Sequence, residues 1–179
     1  MKIIRKSCCS LFFISALALT FSVYAAEATQ SDMAGSEASA TASYGVENIK
    51  KAKAPGDWVG MIYSCALGGY KGELEVRYKY VPVQNYYNFY VESVRYRISP
   101  DDGRNRANIN VQIGKSDTNG TSYSSWTKSP DSMRQDAQWH DYHTEKNWPT
   151  NRQGIYAIEF IFDTPIHDIK CKHGFPSAP

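Results

Sequence analysis

"GELEVRYKY", residues Gly72 to Tyr80, decides the fold class. In an extended chain Leu74, Val76, Tyr78 and Tyr80 share one side, and Glu73, Glu75, Arg77 and Lys79 share the other. A period of two with one apolar side marks a half-buried antiparallel strand. The pattern recurs in "YAIEFIFD" from Tyr156 and in "RANINVQIG" from Arg106. No long segment has helical periodicity.

Strands are predicted near 57–67, 72–81, 86–99, 105–114, 153–163 and 166–173, with weaker candidates near 121–127 and 137–144. Turn-forming clusters separate them: "LGGYKG", "PVQN", "SPDDGRN" and Asn119-Gly120. Asn119-Gly120-Thr121 also matches a glycosylation acceptor, which a hairpin turn explains as well. Six to eight short strands over residues 55–179 predict an all-β, antiparallel β-sandwich, jelly-roll-like, in preference to a small barrel.

The strand near 86–99 breaks parity. Tyr87, Phe89 and Val91 share one side, and the apolar set resumes at Val94, Tyr96 and Ile98. A β-bulge near Glu92-Ser93 restores the apolar side. That register sets Glu73 opposite Arg95 and Arg97 near Asn108. It makes one polar face of Arg77, Lys79, Arg95, Arg97, Asn108, Asn110 and Gln112. The predicted core is Leu74, Val76, Tyr78, Val94, Tyr96, Ile109, Val111, Ile158 and Phe160.

The N-terminus has a basic start at Lys2, Arg5 and Lys6, an apolar run to Val23 and small residues around Ala25. This is the pattern of a secretory signal peptide over residues 1–25. Its apolar run is short for a membrane span, and none is expected. Residues 26–54 are Ala/Ser/Thr/Glu-rich and read as a flexible, disordered leader before the domain at 55–179. With the signal removed, 17 basic residues stand against 18 acidic ones, a net charge of −1. No positive field then remains to draw in nucleic acid. The chain is expected to be exported, to a periplasmic or extracellular space.

Cys8 and Cys9 fall within the signal, which leaves Cys65 and Cys171. An oxidising compartment favours a disulfide between them, joining the first and last predicted strands. The competing reading takes His167, Cys171 and His173 from "HDIKCKH" as metal ligands, but a closed zinc site needs a fourth.

Three of the four tryptophans lie in the polar stretch "WTKSPDSMRQDAQWHDYHTEKNWP", Trp126 to Pro149. One reading buries Trp126, Trp139 and Trp148 as caps on the sandwich, because leaving indoles in water forfeits stability. The other makes a ligand platform. Sugar rings stack on indole and their hydroxyls need polar partners, and Trp126, Trp139, Tyr142 and Trp148 stand near Asp136, Asp141, Asn147, Asn151 and Arg152. The same composition suits a protein-binding hot spot. His140 and His143 would fall on opposite faces of a strand, and no HExxH pattern accompanies them. No catalytic residue, metal or cofactor is assigned. His140-Asp141 lacks a placed serine, and no carboxylate pair for glycoside cleavage is identifiable. The expected function is non-enzymatic binding of a glycan through Trp126, Trp139, Tyr142, Trp148, Asp141, Asn147 and Arg152. The alternatives are a protein-binding subunit or inhibitor, of a toxin or surface complex, and a secreted hydrolase.

Overall fold

The computed structural model describes residues 41–51, 54, 56–117 and 120–177. The signal-peptide reading, residues 26–40 of the leader and Asn119 lie outside the described residues.

The described chain has eleven strands: β1 (Ser43–Lys50), β2 (Val59–Leu67), β3 (Tyr70–Val83), β4 (Tyr86–Ser99), β5 (Arg104–Asp117), β6 (Gly120–Tyr123), β7 (Thr127–Lys128), β8 (Met133–Gln135), β9 (His140–Thr150), β10 (Gln153–Phe162) and β11 (Ile169–Ser177). They form two antiparallel sheets. The first runs β1-β2-β3-β4-β9. The second runs β11-β10-β5-β6, with β7 and β8 also pairing along β5. The all-β sandwich is therefore the fold.

Strand alternation builds the core as expected. Leu74, Val76, Tyr96, Ile109, Val111, Ile158 and Phe160 are all buried, and Tyr78 is half-buried against them. Hydroxyls tie the two sheets together. Tyr80 Oη donates to the Ser177 carbonyl at 2.6 Å and accepts from Gly154 N at 2.8 Å. Tyr142 Oη donates to the Ile109 carbonyl at 2.9 Å. Two glycines let rings lie flat on backbone: a Cβ at Gly72 would strike Phe160, and one at Gly154 would strike Phe89.

Cys65 on β2 and Cys171 on β11 form a disulfide, with Cα atoms 6.0 Å apart. Both are buried, and the bond joins the two sheets. On the chain-entropy account a loop of this length contributes about 4–5 kcal/mol. The thiolate needed for the His167–Cys171–His173 metal reading is therefore consumed. His173 stacks instead on Tyr44, ring centroids 4.2 Å apart.

Four sequence expectations are corrected. First, Ser43–Lys50, expected within the flexible leader, is the edge strand β1, paired with β2 from Ser43↔Ala66 to Lys50↔Gly60. Second, the bulge expected near Glu92-Ser93 is present, but its extra residue is Val94, which therefore leaves the predicted core. Glu75 lies opposite Arg95 and Val76 opposite Ser93, which leaves Val94 as the extra residue. Ser93, not Val94, turns inward and is 1% exposed. Its hydroxyl has partners there: Thr144 Oγ1 at 2.7 Å and Thr144 N at 3.0 Å. Third, Glu73 faces Arg97 rather than Arg95. The two-residue turn at Gln84, with φ at 44°, moves the pairing by two positions.

Fourth, Arg97 and Asn108 belong to different sheets, because the chain crosses between them after β4. Asn108, Asn110 and Gln112 are not an open face with the arginines. Asn108 Nδ2 donates to the Pro130 carbonyl at 3.3 Å, Asn110 Nδ2 to Glu159 at 2.7 Å, and Gln112 Nε2 to the Ser124 carbonyl. Asn108 and Gln112 thus help hold the 120–135 segment against β5.

Candidate functional site

The tryptophan-rich stretch does not make one surface. It leaves β6 on the second sheet, runs through β7 and β8, and enters β9 at the edge of the first. Along β9 the side chains alternate. Tyr142 and Trp148 face inward. Tyr142 is 9% exposed, and Trp148 packs half-buried against the core. Burial pushes the Tyr142 hydroxyl up to about 12. Tyr142 is thus a core residue and Trp148 a half-buried neighbour of the core, and neither joins the outer face of the sheet. Trp126 is half-buried on the second sheet, where Lys172 Nζ lies 4.8 Å from its ring. Arg152 is exposed in the β9–β10 turn, its backbone N donating to Thr150 Oγ1 at 3.3 Å.

Trp139, Asp141 and Asn147 go together on the outer face of the first sheet. Asp141 and Asn147 are exposed and oppose Arg95 and Tyr90 on β4. Asp136, named with them as a polar partner, instead shapes the loop. Its carboxylate accepts from Gln138 N at 3.0 Å and meets His140 Nε2 at 2.8 Å. Burial alone would raise the Asp136 carboxyl, but its bonds to His140 and Gln138 outweigh that and hold it below the ordinary aspartate value. His143 is exposed on the opposite side of β9 from Tyr142. Among the described residues no group of three or more His, Cys, Asp or Glu could hold a metal ion. Among them, too, no helix is long and apolar enough to cross a membrane.

The same outer face carries a groove of about 310 Å³. Trp58, Lys79, Tyr90, Glu92, Glu145 and Asn147 line it. Strand alternation puts them there. Phe89 and Val91 are buried, so Tyr90 points out, and Tyr80 is buried, so Lys79 points out. The Lys79 ammonium lies 4.5 Å from the Trp58 ring and 5.6 Å from the Tyr90 ring, a separation at which cation–π attraction holds it between two aromatics. A second groove of about 550 Å³ shares Trp58 and is bounded by Lys50, Gly56 and Asp57. Trp58 lies outside the tryptophan-rich stretch and was missed by the sequence reading. One signal could have found part of this site: Tyr90 is an aromatic on the polar side of its own strand.

Comparisons with protein-family models, with curated proteins and with solved structures found no match for this chain.

Proposed function

We propose that the protein is a non-enzymatic binding module that takes a carbohydrate on the outer face of its first sheet. The observation that carries this reading is the groove between Trp58 and Asn147, with Tyr90 along it and Glu92 and Glu145 within reach. Half-exposed aromatic rings offer a sugar's C–H faces an apolar floor, and the carboxylates and amide offer its hydroxyls partners. Of the residues expected from sequence, Trp139, Asp141 and Asn147 belong to this face, and Trp126 and Arg152 lie apart from it. The proposal places the protein outside the cytoplasm, periplasmic or extracellular, which the Cys65–Cys171 bond supports.

A glycan array followed by titration tests this. At least one glycan should be retained, and Trp58→Ala should weaken it tenfold or more with little change in Tm. No retained glycan, or a retained one indifferent to Trp58→Ala, would overturn the proposal.

One observation favours a protein partner instead. The edge strand β1 leaves Tyr44, Val46 and Ile49 exposed at 41%, 53% and 43%. Among the described residues β1 has no strand beyond it, and an edge with apolar side chains can accept a further strand. On that reading Val46→Lys would abolish partner capture and Trp58→Ala would not.

A further inference from the structure

The loop that delivers Trp139 is fastened at both ends. Asp136 bridges to His140, Ala137 adopts a positive φ of 56°, and Ala137 N donates to the Ile98 carbonyl at 2.9 Å. The indole consequently lies across the end of β4. The guanidinium carbons of Arg95 and Arg97 sit 4.6 and 4.9 Å from its ring centroid.

Beneath the guanidiniums is a layer of carboxylates. Arg95 Nε donates to Glu75 Oε2 at 2.6 Å, and Arg97 Nε to Glu73 Oε2 at 2.7 Å. Lys71 Nζ meets Glu73 Oε1 at 2.8 Å. The layering sets which charges solvent meets. The Glu73 and Glu75 side chains are each 10% exposed, whereas Arg95 is 45%, Arg97 36% and Lys71 48% exposed. Three cations thus stand over two carboxylates, and the set presents the cations and an aromatic ring outward. Arg95 meets Glu75 through Nε, whereas Arg97 meets Glu73 through Nε and also through Nη2 at 2.6 Å. Of the five N–H donors a planar guanidinium carries, those left over lie mainly on the Nη atoms of Arg95 and on Nη1 of Arg97.

We propose that Trp139, Arg95 and Arg97 form a subsite for an acidic sugar residue, whose ring stacks on the indole and whose anionic group takes the guanidinium donors. This rests on the carbohydrate reading above and names the ligand class. Tyr90 in the groove and Arg95 and Arg97 in the subsite share the outer side of β4, five and seven residues apart. At ~3.3 Å per residue they are about 16–23 Å apart, so the ligand is an acidic glycan chain that reaches both. Asp141, exposed opposite Arg95, bounds the subsite with like charge to the ligand.

The test titrates the full chain with three oligosaccharides of matched length: a uronic-acid oligomer, its neutral methyl ester, and a sulfated oligomer. Either acidic oligomer should bind at least tenfold tighter than the ester, with affinity falling as salt rises. The better of the two identifies the acid. Trp139→Ala should weaken binding of the acidic oligomer at least tenfold, and Asp141→Asn should strengthen it. Should Trp139→Ala fail to fold, the indole N–H resonance of Trp139 in the unaltered protein decides, since it should move on titration. Equal binding of ester and acids, with that resonance unmoved and the Trp58 resonance shifting, would overturn the acidic subsite and leave the carbohydrate reading standing. No binding by any oligomer or arrayed glycan would overturn both.

Discussion

Arg95 sits between two partners: Glu75, directly across the β3–β4 ladder at 2.6 Å, and the Trp139 ring, 4.6 Å away. The carboxylate is buried and the arginine is not, so the two halves of the pair respond differently to mutation. Arg95→Ala strips the partner from a buried carboxylate, which costs about 1–3 kcal/mol. Glu75→Gln removes the buried charge and leaves an exposed guanidinium that water can solvate. Urea unfolding should therefore show Arg95→Ala as the more destabilised of the two. The reverse order would mean that Glu75 reaches solvent.

Acid should loosen the same cluster. Burial alone would raise the Glu73 carboxyl, but hydrogen bonds from Lys71 and Arg97 outweigh it and hold the group below the ordinary glutamate value of 4.5. A lowered folded value means that the stabilisation is fully present above the unfolded value and is lost as pH falls through the folded one. Urea midpoints taken from about pH 5 down to about pH 3 should fall, and the gap between the unaltered protein and Glu73→Gln should narrow over that range. A constant gap would remove Glu73 from the account.

The bulge makes a contrast between neighbouring apolar residues. Ile109 is fully buried, so Ile109→Ala should cost about 2–5 kcal/mol through lost burial and a cavity. Val94, the half-buried extra residue, should lose under about 1 kcal/mol on the same change, toward the range for exposed sites. Equal losses would put Val94 back in the core.

Much of this architecture is legible in period-two alternation, because a sheet with one buried side must sort its residues that way. The disulfide is legible too, since Cys65 and Cys171 are the pair left once the N-terminal segment is set aside. The bulge near Glu92-Ser93 is legible as well, but which residue is the extra one is not. Any residue between Val91 and Tyr96 could restore parity, and the outcome depends on Thr144, a partner on β9 that the β4 sequence cannot reveal. The edge strand β1 is hidden because its apolar side chains stay largely exposed and sit in an Ala/Ser-rich setting, so burial writes only a weak pattern. The tryptophans mislead for a related reason. Proximity along 126–149 suggests one surface, but the chain changes sheets within it and divides the aromatics among three environments. Trp58, distant in sequence and just ahead of β2, reaches the outer face beside Lys79.

The four indole N–H resonances test the central claim most directly, because each tryptophan reports on a different place: Trp58 in the groove, Trp139 over the arginines, Trp126 on the second sheet and Trp148 against the core. Titrating the labelled protein with a glycan retained on the array should shift Trp58 and Trp139 and leave Trp126 and Trp148 in place. Shifts confined to Trp126 or Trp148 would contradict the assignment of binding to the outer face of the first sheet.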